Sequence, residues 1–203
     1  MKKRLLCMTL LLAAVLSGCG QKNAPETQMG AAASPETTAP ADSAGDRNPT
    51  AVELGRDETT DLIFLAEGTE ETVPATLYIG QGYSIYIPDE GWRPEKDMEN
   101  GIPADTWEST VNDDVELRVL HLGEKTLEEA QAWVIAEEDD FQLTEDKQGG
   151  LAGMDAEDRD ILEVRFCPAG TGMYGILYQY PTEAAEGFGA RLSVIADTFE
   201  VME

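Results

Sequence analysis

An α+β fold, a mostly antiparallel sheet with two helices packed on it, is what the sequence predicts for residues 58–203. Three observations carry that prediction. Short apolar segments with period-two alternation recur through the region, and Gly-, Asn- and Asp-containing turns separate them. After residue 123, and again after 181, the apolar period changes to that of a helix. The region has the length of one typical domain, large enough to bury about two-thirds of the surface its unfolded chain exposes.

LIFLAEG (62–68) and TVPATLYIG (72–80) are apolar runs split by a charged turn, the pattern of a hairpin. YSIYIP (83–88) follows the turn Gly80-Gln81-Gly82, alternates with period two and stops at Pro88. DTWESTV (105–111) and VELRVLHLG (115–123) are joined by Asn112-Asp113-Asp114, residue types that form turns through their own side chains. Thr126 and Glu129 then make a T-x-x-E capping box, and Leu127, Ala130 and Val134 recur at helical spacing, which predicts a helix over 127–138. QLTEDKQ (142–148) carries a weak strand signal. ILEVRFC (161–167) and MYGILYQYP (173–181) predict a second hairpin. From Thr182 a second helix puts Ala184, Phe188, Leu192 and Ile195 on one face, and TFEVM (198–202) closes the chain as a strand.

The first 57 residues differ in composition. Lys2, Lys3 and Arg4 precede Leu5–Leu16, which is almost wholly apolar and uncharged, so residues 1–18 read as a secretory signal. The run is well short of the roughly 20 residues that cross ~30 Å of hydrocarbon as a helix. Leu16-Ser17-Gly18-Cys19 resembles the bacterial lipobox. That resemblance implies a diacylglyceryl group on the Cys19 thiol, cleavage just before it, and a mature chain anchored on the extracytoplasmic face of the cell membrane. Each buried CH₂ contributes ~0.8 kcal/mol, so two long acyl chains of the palmitate kind hold a domain where one is marginal. A plain secretory signal beside an incidental cysteine is the alternative. Residues 19–57 are rich in Ala, Pro, Thr, Ser, Glu and Asp with no aromatics, and read as a lipid-anchored disordered tether spanning on the order of 30–40 Å.

The chain has 14 basic and 40 acidic residues; without the three basic residues of 1–18 the formal charge moves from −26 to −29. So acidic a surface repels nucleic-acid phosphates and anionic lipid, and favours basic partners or serves solubility alone. With Cys7 in the signal and Cys19 carrying lipid, Cys167 stands alone in an apolar run, a small buried hydrophobe with no disulfide partner. The domain is expected to be monomeric and insensitive to reductant.

The element order, GYSIYIPDEGW as an early strand ending in Pro and Trp, and a last helix running into TFEVM resemble the PsbP-like and DcrB-like lipoprotein domains. The resemblance covers most of 72–203. It implies an α/β/α sandwich and a non-enzymatic accessory or interaction module on a membrane assembly, with no site residues carried over.

No catalytic motif stands out. Gly170-Thr171-Gly172-Met173-Tyr174-Gly175 is a literal G-x-G-x-x-G, but a strand follows it where a dinucleotide site needs a helix N-terminus, so its glycines read as the turn of the 161–181 hairpin and a closely packed strand position. His121 is the single histidine, which excludes multi-histidine metal sites, and its parity with Val115, Leu117 and Val119 predicts an inward structural position. Asp97-x-Glu99-Asn100-Gly101 departs from the EF-hand spacing, and the runs 137–140 and 155–160 read as solvated faces more readily than as a Ca²⁺ site. Parity puts Tyr174, Ile176, Tyr178 and Tyr180 in the core. Trp92, past a strand end, is the aromatic best placed for a binding surface. The expected function is therefore a membrane-anchored extracytoplasmic lipoprotein with a non-catalytic domain that binds an envelope protein or wall component, with no cofactor. A cell-envelope hydrolase using carboxylates invisible to sequence patterns is the alternative.

Overall fold

A computed structural model describes residues 48–66, 68–99 and 101–202. The signal, Cys19 and most of the tether lie outside the described residues. The chain runs through α1 (Ala51–Leu54), β1 (Thr59–Ala66), β2 (Thr69–Ile79), β3 (Tyr83–Pro88), β4 (Trp92–Glu99), β5 (Ile102–Ser109) and β6 (Glu116–Gly123). After α2 (Leu127–Glu137) come β7 (Thr144–Glu145), β8 (Leu151–Met154), β9 (Asp160–Ala169), β10 (Gly172–Pro181), α3 (Ala190–Asp197) and β11 (Glu200–Val201).

These strands build two antiparallel sheets where the sequence suggested one. The smaller has the order β1-β2-β3-β11 and the larger β4-β5-β6-β10-β9-β8-β7. The break comes at Asp89-Glu90-Gly91. Pro88 ends β3, Gly91 adopts φ +85°, and the chain leaves the first sheet to start β4 in the second. β4 escaped the sequence pattern because its edge position needs no alternation, and Arg93, Pro94 and Glu95 are all exposed. β8 escaped it by being short and preceded by two glycines.

Two apolar layers hold the sheets. Between them Ile85 and Tyr83 of β3 meet Trp107, Leu117, Val119, Ile176 and Tyr178 of the larger sheet. On that sheet's other face Leu120, Leu122, Leu162, Val164 and Leu177 pack beneath Ala130 and Val134 of α2. The α2 capping box forms as the sequence predicts: Glu129 N–H donates to the Thr126 hydroxyl at 3.2 Å, and Thr126 N–H to the Glu129 carboxylate at 2.9 Å.

The second predicted helix is less regular. Thr182–Ala184 is a 3₁₀ turn and Ala185–Gly189 a π-turn before α3 begins. Gly189 ends this irregular stretch packed against Tyr180, where an added Cβ would stand 2.9 Å from the phenol oxygen. α3 bridges the two sheets: Leu192 and Ile195 enter the core, Arg165 of β9 reaches Ser193 at 2.6 Å and pairs with Asp197, and Arg191 pairs with Glu71 of β2.

Residues 48–57, which composition assigns to the tether, fold onto the domain. Thr50 caps α1, Gly55 ends it at φ +68°, and the Arg56 side chain is only 9% exposed. Composition misreads the segment because it is held by hydrogen bonds and one buried guanidinium, with few apolar side chains.

Candidate functional site

Trp92 opens β4 directly after the Gly91 turn and is half-buried. It lines a groove of about 460 Å³ where the β1–β2 hairpin, the start of β4, the 110–114 loop and α3 converge. Phe64, Val73, Pro74, Val111, Phe188 and Ile195 supply its apolar wall, and Glu71, Glu90 and Arg191 its polar groups. Arg191 is engaged twice, pairing with Glu71 and lying 5.9 Å above the Phe64 ring. The Ser109 hydroxyl accepts from Val111 N–H at 3.2 Å and Asn112 N–H at 3.3 Å, which holds the loop so that Val111, 79% exposed, stands at the rim. A half-buried indole in an apolar trough with one committed ion pair has the chemistry to hold an apolar or aromatic side chain, and the Ser109 hydroxyl at its edge is taken up by the loop N–H groups.

Sequence reasoning missed a second, more polar cleft of about 250 Å³, lined by Asp105, Tyr83, His121, Val119, Gln81 and Asn48 among others. The Tyr78 hydroxyl donates to Asp105 Oδ1 at 2.8 Å and the Tyr83 hydroxyl to Oδ2 at 2.7 Å. Burial, then the hydrogen-bonded carboxylate, pushes both phenols well above their ordinary value. Protonated phenols thus occupy both oxygens of the carboxylate. The available signal was parity, since Asp105 shares its face of β5 with the buried Trp107. The turn below is built from glycine of necessity: a Cβ on Gly80 would lie 2.3 Å from the Tyr83 ring, and Gly82 sits at φ +81°.

His121 lies where its parity predicts, on the face of Val119, half-buried and stacked on Tyr174 with ring centroids 4.9 Å apart. Tyr174, Ile176, Tyr178 and Tyr180 are all buried in the core. Glu163 accepts from Tyr178 at 3.0 Å and from Tyr180, and burial chiefly, then the Glu163 charge, pushes Tyr178 up to about 12. Cys167 is a half-buried free thiol, raised by burial with Arg165 partly opposing. Gly170 and Gly172 form the β9–β10 turn, Ala169 pairing with Gly172, and Gly175 lies within β10 opposite Phe166.

The acidic runs do not converge. Glu138 is held by Arg118 at 2.8 Å, and Asp155 Oδ1 accepts from Arg159 N–H at 2.7 Å and Asp160 N–H at 3.3 Å, closing its own loop. Among the described residues no three His, Cys, Asp or Glu side chains gather as a metal site would need, and no helix is long and apolar enough to cross a membrane.

No family model matches the chain, and no curated protein matches it. Among solved structures it is similar to a cyanobacterial PsbP protein from Synechocystis, at 15% identity and a TM-score of 0.45 over 63% of this chain and 92% of that one. It is also similar to a protein from Bacteroides thetaiotaomicron, at 13% identity and a TM-score of 0.39 over 63% of this chain and 48% of that one.

Proposed function

We propose that this chain is an extracytoplasmic lipoprotein, held on the cell membrane through lipid on Cys19, whose domain binds an envelope protein or wall component without chemistry. The groove at Trp92 is the observation that carries the binding role. It joins an aromatic anchor, an exposed Val111 and a polar rim in one concavity, the usual makeup of a side-chain docking site. Asp105 and Glu163, each taken up by two phenols, support a domain whose enclosed carboxylates serve structure. The Leu16–Cys19 motif supports the anchor, and the PsbP-like resemblance of the sequence implies the same accessory class of role.

Two measurements test the two halves separately. Metabolic labelling with an alkyne palmitate tags the wild-type chain and spares Cys19→Ala; equal labelling would refute the anchor. A photo-crosslinking amino acid in place of Trp92 yields a discrete adduct in intact cells, whereas the same probe at exposed Glu128 on α2 does not. Identical patterns at the two positions would remove the groove as the binding surface.

A further inference from the structure

Four strands end the two sheets, and three of them are protected. β11 and β7 are two residues long, and β4 carries Pro94 with charged neighbours. Such devices keep sheet edges from pairing with other chains. β1 has none of them. It is eight residues long, TTDLIFLA, and its only ladder partner among the described residues is β2, which leaves the outer row of backbone N–H and C=O groups unpaired there. Along this strand Leu62 and Phe64 turn inward, while Ile63 and Leu65 are 57% and 65% exposed.

The chain of this hairpin is acidic, and the cation that reaches it, Arg191, is paired with Glu71 on the inward face. From Asp57 to Trp92 there are eight acidic residues and no Lys or Arg. On the face of Ile63 and Leu65, exposed Asp61 and Glu70 flank the apolar pair, Glu70 standing opposite Leu65 in the ladder.

We propose that the open edge of β1 is a strand-addition site for an extended segment of a partner protein that presents, on one face, apolar residues flanked by basic ones. Main-chain hydrogen bonds from the segment complete the β1 ladder, its apolar side chains cover Ile63 and Leu65, and its cations meet Asp61 and Glu70. Charge selects this occupant over a second copy of the chain, because two acidic edges laid side by side repel each other. This surface lies on the outward face of β1, whereas the Trp92 groove takes Phe64 from the inward face of the same strand, so substitutions at Ile63 and Leu65 test one without removing a lining residue of the other.

The test uses the full chain in detergent and the capped ten-residue peptide Thr-Lys-Thr-Val-Thr-Val-Thr-Lys-Thr-Thr (Lys–Val), whose one face reads Lys, Val, Val, Lys, with the same peptide carrying Glu for both Lys (Glu–Val) as control. Lys–Val slows amide hydrogen exchange in 59–66 at least tenfold and Glu–Val does not. Ile63→Thr with Leu65→Thr, which keeps strand propensity, weakens Lys–Val binding at least tenfold, while Trp92→Ala leaves it unchanged. No protection of 59–66, equal protection by both peptides, or unaltered binding by the double variant overturns the proposal. So does concentration-dependent protection without peptide, which would assign the edge to contacts between copies.

Discussion

The Arg56 guanidinium donates to the Thr198 carbonyl oxygen at 2.8 Å, joining two residues that stand 142 positions apart in the sequence. The same side chain donates to the Ser84 hydroxyl at 2.9 Å and lies 4.6 Å over the Tyr86 ring. Thr198 is itself fixed, its hydroxyl accepting from Tyr86 N–H at 3.0 Å and donating to the Ile195 carbonyl at 2.7 Å. One buried cation therefore fastens the entry of the domain to β3 and to the turn between α3 and β11.

Replacing Arg56 by Ala removes charged hydrogen bonds from a buried site, and the expected cost is about 2–4 kcal/mol. Lys recovers little of it, since an ammonium cannot reach both oxygens as a planar fork does. A chain beginning at residue 58 shows a similar or larger deficit. Urea unfolding checks all three; an Ala variant within about 0.5 kcal/mol of wild type would contradict the role.

The sequence made β3 legible because both alternation and Pro88 marked it, and the Thr126–Glu129 capping box fixed the start of α2. Gly170 and Gly172 were legible as a turn, and Gly175 as a strand position, from the strand pattern that follows them. β4, Arg56 and Asp105 were not. Each is placed by a long-range partner, namely the β5 ladder, Thr198 and two tyrosines, and no local periodicity reports such contacts. Trp92 was singled out for its place after a strand end; the structure puts it at the start of β4, in a groove whose walls come from four separate segments.

Two glycines should respond oppositely to alanine. At Gly153 in β8 a Cβ would stand 2.3 Å from the Gln142 carbonyl oxygen, so backbone must move and about 1–3 kcal/mol is lost. At Gly187 the nearest atom is an Arg191 nitrogen at 3.7 Å, and Gly187→Ala is expected to raise stability by up to about 1 kcal/mol. Thermal melting of the pair checks this; equal shifts would contradict it.

Alkali should unfold the domain through its phenols. Tyr78, Tyr83, Tyr178 and Tyr180 all have folded values above the ordinary 10.0, so the folded chain holds protons that the unfolded chain gives up. Their contribution is complete below pH 10.0 and is lost as pH climbs toward about 12, the value for Tyr178. Phenolate absorbance and loss of near-ultraviolet circular dichroism are expected to rise together in that window. Phenolate appearing fully while the tertiary signal persists would refute the linkage.

Cys167 is a free, half-buried thiol, so the melting temperature of a chain spanning 48–203 should not move with dithiothreitol. A drop of several degrees would indicate a disulfide between copies.

The Arg56 anchorage also sets a load path. Tension applied at Asn48 reaches the capped α1 turn and then the buried guanidinium, which hands it to β3 and the α3–β11 turn together. The force is thus shared between strands distant in sequence before it can peel the β1–β2 hairpin, which begins only at Thr59. Pulled from its N-terminal side, the domain should yield in one abrupt step, and loss of Arg56 should turn that step into gradual unzipping from β1.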